Sequence, residues 1–340
     1  MGGRTPLFLD FFAIAIFCPT DAVEAEFTRL GVDLEEGLVV IYIKGLDAEL
    51  FILQAVQLGC NAFDADADLL RSGVVPAVSL TEIFRQAEKS AIIRNAHAVN
   101  TGRPPELKNT QNDFFFLCRR APDRLVQTVV ELCQQRLPDN MGIPADQIQV
   151  LSPTRKGVCG TVNLNRALQA ALNPPAAGKH QKPWGDMVFR EGDRVMQTRN
   201  NYDVVWEKDD GSMGAGIFNG DVGVIREIDP SGELITIQFD DRTCVYTADL
   251  LNQLDMAYAM TVHKAQGSEY RCVVLVSAAV APALMVRGVL YTAITRAREL
   301  LVLVGDDVAP GQMAANDKQQ RRYSGLRRRL REEAMSHGLQ

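Results

Sequence analysis

Three segments hold side chains able to handle a phosphate group. Leu80-Thr81-Glu82-Ile83-Phe84-Arg85-Gln86 puts an arginine where a short strand gives way to a helical pattern. Met260 to Tyr270 (MTVHKAQGSEY) reads as a polar loop rich in donors, and Leu290 to Arg298 (LYTAITRAR) sets Arg296 after an apolar half-turn, where it can be aimed at an anion. Arginine suits phosphate because its planar fork donates paired hydrogen bonds and keeps its charge. Taken singly, each has an ordinary reading: His263 as a satisfied loop residue, Arg85 and Arg296 as members of common, weak surface ion pairs. The usual phosphate cradle is missing. No GxxxxGK[ST] string, whose amides, lysine and hydroxyl hold the phosphates and Mg²⁺, occurs in the chain. The single Gly-Lys pair, Gly178-Lys179, follows Pro-Pro-Ala-Ala and precedes His180, so it fails on residue type and context.

The elements that must position these residues alternate as in an α/β protein. Leu38 to Ile43 (LVVIYI) predicts a buried parallel strand. Arg85 to Asn100 carries Ala87, Ala91, Ile92, Ala96 and Val99 on one helical face. Pro122 and Asp123 open a second helix with Leu125, Val129 and Cys133 on its stripe. Ile148 to Leu151 predicts a strand, followed by the loop SPTRKG and a helix through Leu164, Leu168 and Leu172. The spacing then changes. Short β-rich runs at Asp193 to Thr198, Asp221 to Glu227, Leu234 to Phe239 and Cys244 to Thr247, broken by Asn-Gly, Pro-Ser-Gly and Asp-Asp turns, predict a small antiparallel barrel. Beyond it the apolar runs Val273 to Val276 and Leu300 to Val304 predict central strands of a parallel sheet, with a helical stretch, Gly288 to Arg298, between them. The barrel is therefore expected as an insertion.

Composition bounds what this arrangement can be. With 340 residues, 46% hydrophobic, 23% charged and 7% aromatic, the chain fits a globular protein of two or three domains and excludes a disordered, collagen-like or polytopic membrane chain. Its seven cysteines form no C-x-x-C pair, which predicts reduced, mostly buried thiols and a cytoplasmic location. Leu7 to Cys18 is a dozen residues with Asp10 inside it, short of the about 20 that a membrane span needs, and only Arg4 precedes it as a basic residue. The net charge of −6 hides an asymmetry: residues 1–68 carry twelve acidic and three basic residues, while Lys318 to Arg331 holds seven basic and no acidic one. A polyanionic partner is therefore compatible with the acidic whole, because the local field decides. A solvated helix face accounts for the arginine run equally well.

Taken in order, the segments LTEIFRQA…SAIIRNAHAVNTG (80–102), VLSPTRKG…LNRALQAALNP (150–174), GDRVMQTRNNYD (192–203), IFNGDVGVI (217–225), AYAMTVHKAQGSEY (257–270) and LYTAITRARELLVLVGD (290–306) resemble the C-terminal half of RecD-like ATP-dependent DNA helicases of superfamily one. The resemblance runs from about Leu69 to Leu330. It implies a stunted first RecA-like motor domain (1–78), a second RecA-like motor domain (79–185 and 251–310), an inserted small β-barrel (186–250) that guides the strand, with Asn200, Asn201 and Asn219 as loop candidates, and a basic helical tail (311–340). It implies that Arg85 and Arg296 reach the γ-phosphate of ATP, and that Gly267 and Glu269 link nucleotide to DNA. Thr154, Arg155, Thr261, His263 and Lys264 would hold single-stranded DNA or a duplex junction. The parent activity would be 5′-to-3′ unwinding with ATP and Mg²⁺ in recombination or repair, with no membrane partner.

Two family features depart. Where the family carries Asp-Glu on its second nucleotide-binding strand, this chain has Tyr42 and Ile43, neither a ligand for a hard cation. The family's Gly-Asp-x-x-Gln-Leu-Pro loop also has no counterpart between Leu58 and Leu69. These departures predict little or no ATP turnover by this polypeptide alone. They fit either a fragment or damaged reading frame, or a degenerate motor retaining its DNA-facing half. A non-enzymatic single-strand-binding or regulatory module is the alternative from another class. A relaxase-associated helicase domain is a further rival, lacking an evident histidine cluster or strand-transfer tyrosine.

Overall fold

The computed structural model describes residues 40–43, 77–80, 89–109, 112–278, 282–317 and 326–336. Arg85 lies outside them. The chain divides into two units, Met1–Glu82 with Gln320–Gln340, and Ile83–Gln319. In the first unit β1 (Val40–Ile43) pairs in parallel with β2 (Ala77–Leu80), Tyr42 opposite Ser79.

The first helix among the described residues of the second unit is α1 (Ala91–Asn100). This helix starts later than the apolar spacing predicts, because Ser90 caps it: its hydroxyl accepts from the Ile93 N–H at 3.3 Å and donates to Asp113 at 2.6 Å. Asp113 also accepts from the Ala91 N–H, and its backbone carbonyl accepts from Leu301 at 2.8 Å, so one residue joins the helix to the sheet. Next come β3 (Phe114–Cys118) and α2 (Pro122–Glu131), which runs through a π turn (Leu132–Arg136) into the short α3 (Leu137–Met141). Gly142 closes it in the left-handed region at φ 62°. They are followed by β4 (Ile148–Ser152) and α4 (Thr161–Leu172).

After α4 the chain becomes antiparallel: β5 (Gln181–Trp184), β6 (Met187–Arg190), β7 (Arg194–Gln197), β8 (Asn201–Lys208), β9 (Met213–Ile217), β10 (Val222–Ile228), β11 (Leu234–Phe239), β12 (Arg242–Thr247) and β13 (Leu254–Met256). β5 and β6 form a hairpin, and the others make a sheet of order β13-β7-β10-β11-β12-β8-β9. That order has ends at β13 and β9, where a closed barrel would join them, so the hydrogen-bonded ladder is an open sheet. Irregular register in β8, between Asn201 and Val205, and in β10, between Ile225 and Glu227, is the kind of feature that curls a sheet. Its core is Ile225, Ile228, Ile235, Ile237, Phe239 and Tyr246, all essentially sealed from water. The β8–β9 hairpin was not legible in the sequence, because its alternation is diluted by charged and glycine residues.

The α/β pattern then resumes with β14 (Ala259–Thr261), β15 (Tyr270–Ser277), α5 (Arg287–Ile294), β16 (Ala297–Gly305) and α6 (Ala309–Ala315). The main sheet, β14-β4-β15-β16-β3, is parallel throughout. Continuous apolar strands are explained by burial on both faces: Cys272, Val274, Val276, Val302 and Val304 share a core with Leu125 and Val129 of α2 and Leu164 and Leu168 of α4. The helix between β15 and β16 ends at Ile294, short of the predicted Arg298, so Arg296 lies in the turn that feeds β16. In the first unit α7 (Leu326–Ser336) is helical, with Arg327, Arg328 and Arg329 exposed. Among the described residues no helix is long and apolar enough to cross a membrane.

Candidate nucleic-acid interface

β4 and β14 lie side by side, with Ser152 opposite Thr261, so the segments that follow them emerge together at the carboxyl end of the sheet. That end is where open α/β sheets place ligands. The loop after β4 folds on itself: the Ser152 hydroxyl donates to the Cys159 carbonyl at 2.9 Å, and the Thr154 hydroxyl donates to the Lys156 carbonyl at 3.3 Å. Thr161 N–H donates to the Thr154 carbonyl at 3.1 Å and Val162 N–H to that of Arg155 at 3.2 Å, tying the loop to the start of α4. Gly160 makes this closure possible, since a Cβ there would lie 2.4 Å from the Lys156 carbonyl oxygen. After β14, the Thr261 hydroxyl accepts from the Lys264 N–H at 3.4 Å, capping a 3₁₀ turn (Val262–Ala265) that leaves His263 exposed.

The two segments meet on a residue that sequence reasoning missed. Asp255 of β13 accepts from Arg155 at 3.3 Å and from Lys264 at 3.2 Å. Arg155 keeps 63% of its side chain in solvent and Lys264 33%. Five predicted DNA-contacting residues, Thr154, Arg155, Thr261, His263 and Lys264, thus sit at one end of one sheet, with two of their cations gathered on a single carboxylate. No local signal could have found Asp255: it is 100 positions from Arg155 in the chain.

Arg296 is in a different setting. It is 7% exposed, and its guanidinium donates to the Thr292 carbonyl at 3.0 Å, the Ser268 carbonyl at 3.1 Å and the Thr295 hydroxyl at 3.1 Å. Its own carbonyl accepts from the Tyr270 N–H at 2.8 Å. Arg296 therefore knits the Gly267–Glu269 loop to the end of α5, at the amino ends of β15 and β16. Gly267 is exposed at φ +80°, a conformation that favours glycine. Glu269 is exposed beside an open cleft of about 380 Å³ that Asp146, Gln147, Tyr270, Arg271 and Arg298 also line. Arg155 and Arg296 thus occupy opposite ends of the parallel strands.

A buried polar hub anchors the antiparallel insertion beneath the loops. The Asp193 carboxylate accepts from Asn173 at 2.7 Å, Tyr258 at 2.9 Å, Gln169 at 2.5 Å and the Arg190 N–H at 2.7 Å. Burial pushes the Asp193 carboxyl above its ordinary range, and these donors oppose the shift. Arg194 of β7 reaches across to the Ile148 carbonyl at 3.1 Å and Gln149 at 3.0 Å, so the insertion is hydrogen-bonded to β4 directly. Asn201 donates to Gln253 at 3.0 Å, and the Asn200 side chain accepts from the Asn219 N–H at 2.9 Å, so the three loop asparagines brace the insertion.

A nucleotide site is not assembled by these residues. Among the described residues no group of three or more His, Cys, Asp or Glu side chains could hold a metal ion, and β1 offers Tyr42 and Ile43. The donor set of the described residues does not fit Mg²⁺ with a triphosphate.

Comparison with known proteins agrees with this architecture. Residues 164–239 match the SH3 domain of ATP-dependent RecD-like DNA helicases, and residues 256–304 match the UvrD-like helicase C-terminal domain. The second match falls on strands of the parallel sheet and the first mostly on the antiparallel strands inserted into it, so the chain is similar to RecD-like helicases in this region. The chain is 33% identical over 269 residues to the ATP-dependent RecD2 DNA helicase of Deinococcus radiodurans, covering 79% of this chain and 34% of that protein. It is 31% identical over 185 residues to the RecBCD enzyme subunit RecD of Mycobacterium tuberculosis, covering 54% of this chain and 29% of that one. The chain thus spans about a third of the length of these relatives. A structure of Pif1 helicase from Candida albicans aligns with a TM-score of 0.41 at 14% identity, over 93% of this chain and 80% of that chain.

Proposed function

We propose that this chain is the strand-holding C-terminal portion of an ATP-dependent 5′-to-3′ DNA helicase, which couples ATP hydrolysis to single-strand translocation and duplex unwinding in recombination or repair. The observation that carries the reading is the meeting of Arg155 and Lys264 at the carboxyl ends of β4 and β14. Two cations on neighbouring loops, beside the Thr154 and Thr261 hydroxyls, suit consecutive phosphates of a strand and select no base. In this role Thr154, Arg155, Thr261, His263 and Lys264 hold the DNA backbone.

Gly267 and Glu269 lie in the segment that leaves the Val262–Ala265 turn and enters β15, so a change at the strand site is passed to the loop that Arg296 grips. For Arg296, and for Arg85 with it, to reach a γ-phosphate, the bonds to Ser268 and Thr292 must be exchanged for bonds to phosphate. The described residues do not fit Mg²⁺ and ATP, so no hydrolytic step is assigned to them. The same departures favour a second reading, in which the chain is a non-enzymatic single-strand-binding module.

The test is fluorescence anisotropy of a labelled single-stranded oligodeoxynucleotide with the whole chain, at two salt concentrations. Binding should weaken steeply with salt, and Arg155→Ala and Lys264→Ala should each lower affinity and make the salt dependence shallower by about one unit of log–log slope. Binding indifferent to both substitutions would defeat the assignment. Turnover of ATP by the purified chain that Arg296→Ala abolishes would defeat the view that it lacks the engine.

A further inference from the structure

The antiparallel insertion carries an exposed aromatic pair to which no role has yet been given. Tyr202, in β8, is 68% exposed, and Phe218, in the turn between β9 and β10, is 41% exposed. Their rings meet edge to face, with centroids 5.7 Å apart and planes at 73°. The pair is braced: Asn200 donates to the Tyr202 hydroxyl at 3.3 Å, while its carbonyl oxygen accepts from the Asn219 N–H. Phe218 N–H donates to Asp221 at 3.1 Å, and Gly216, at φ +105°, bends the chain beneath the Phe218 ring. Two large rings fixed in water forgo burial, which marks a binding surface more often than a packing accident.

From the geometry we infer that Tyr202 and Phe218 form a stacking platform for an unpaired nucleobase of single-stranded DNA. The occupant follows from what the pair is continuous with. β7 pairs antiparallel with β13, with Asp255 opposite Met196, and the chain leads from β7 to Tyr202. Three residues beyond Met196, at most about 10 Å of extended chain, stands Arg199, exposed and bonded to Asn252 at 2.9 Å. Asn200 follows at once. Arg199 thus follows the β7 position opposite the Asp255 that Arg155 and Lys264 share, and precedes Tyr202 by three residues. Backbone cations followed by aromatic faces are the combination that binds single strands without regard to sequence, because every base has a π face.

This inference rests on the strand-site assignment above, and the experiment separates the two. The whole chain is titrated into a mixed-sequence single-stranded oligodeoxynucleotide with 2-aminopurine placed at successive positions, and both quenching and affinity are read. The expected result is position-specific quenching that is lost in Tyr202→Ala/Phe218→Ala, with affinity reduced roughly tenfold or more and the salt slope unchanged, since no phosphate contact is removed. Tyr202→Phe retains a ring and should restore both. Unchanged quenching and affinity in the double variant, alongside weakened binding by Arg155→Ala, would overturn the platform and leave the strand site standing. Absence of binding by the unmodified chain would overturn both. Loss of self-association in the double variant, measured by sedimentation with DNA binding intact, would show instead that the rings meet a second copy of the chain.

Discussion

Arg155 and Arg296 are the same residue type in two opposite settings, at opposite ends of one parallel sheet. Arg155 lies mostly in water and shares Asp255 with Lys264. Exposed ion pairs are worth about 0–1 kcal/mol, so an incoming phosphate can replace the carboxylate at little cost. Arg296 is buried and satisfied by two backbone carbonyls and a hydroxyl. Releasing it gives up buried hydrogen bonds from a charged group, worth about 1.5–3 kcal/mol each. The first arrangement suits binding on contact. The second suits a part that moves only when another interaction replaces what it holds.

The comparison can be broken most forcefully at the hub that joins the insertion to the sheet. Asp193→Ala removes the acceptor of Asn173, Tyr258 and Gln169, and should destabilise the fold by about 3 kcal/mol or more in urea melts. The sign of its pH dependence also follows. Because burial raises the folded carboxyl, the folded chain holds this proton to higher pH than the unfolded chain. The group's contribution is therefore complete below the unfolded pKa, and it falls as pH rises through the raised folded value, becoming constant above it. The stability difference between the natural chain and Asp193→Asn, followed upward from pH 4, should shift against the natural chain and then level off. A flat difference would mean that Asp193 titrates normally.

Arg296→Ala ranks next, with a loss of about 2–3 kcal/mol from the buried hydrogen bonds of the guanidinium that it removes. Hydrogen exchange should rise at Tyr270, whose N–H bonds to the Arg296 carbonyl. Arg155→Ala, by contrast, should leave the melting temperature within about a degree or two, and a large drop would erase the distinction between the two arginines. Asp255→Asn is subtler. It frees both cations of a competing carboxylate, and single-strand affinity should tighten about threefold at low salt; weaker binding would mean that Asp255 orients the pair rather than competing for it. The smallest effect is on thiol reactivity. Burial pushes Cys133 and Cys272 up to about 12, whereas Cys118 is exposed. Mapping with a thiol reagent should label Cys118 in the native protein and reach Cys133 and Cys272 only after unfolding.

The same contrast shows what could be read in advance. Val273 to Val276 and Leu300 to Val304 announce central parallel strands, because a strand covered on both faces must be apolar at every position. The alternation of β11 and the turns around it announce an antiparallel insertion, and the cysteines announce unpaired, mostly buried thiols: five described ones are free and four of these are buried. The helix before β16 is legible in place but not in length: Thr292-Ala293-Ile294-Thr295-Arg296-Ala297 continues a helical pattern, while the Arg296 carbonyl is recruited by Tyr270 into the ladder of β15 and β16.

The residues that local chemistry dictates, a strand, a capped turn, a cation beside a hydroxyl, were fixed by neighbours a few positions away, and the order of amino acids alone specified them. Which cations share a carboxylate, which arginine faces water and which faces carbonyls, and where the antiparallel sheet abuts β4 were decided only on folding. Those outcomes depend on contacts between positions as far apart as 155 and 255. Their energies come from burial and electrostatic geometry, which arise only when distant segments are packed together.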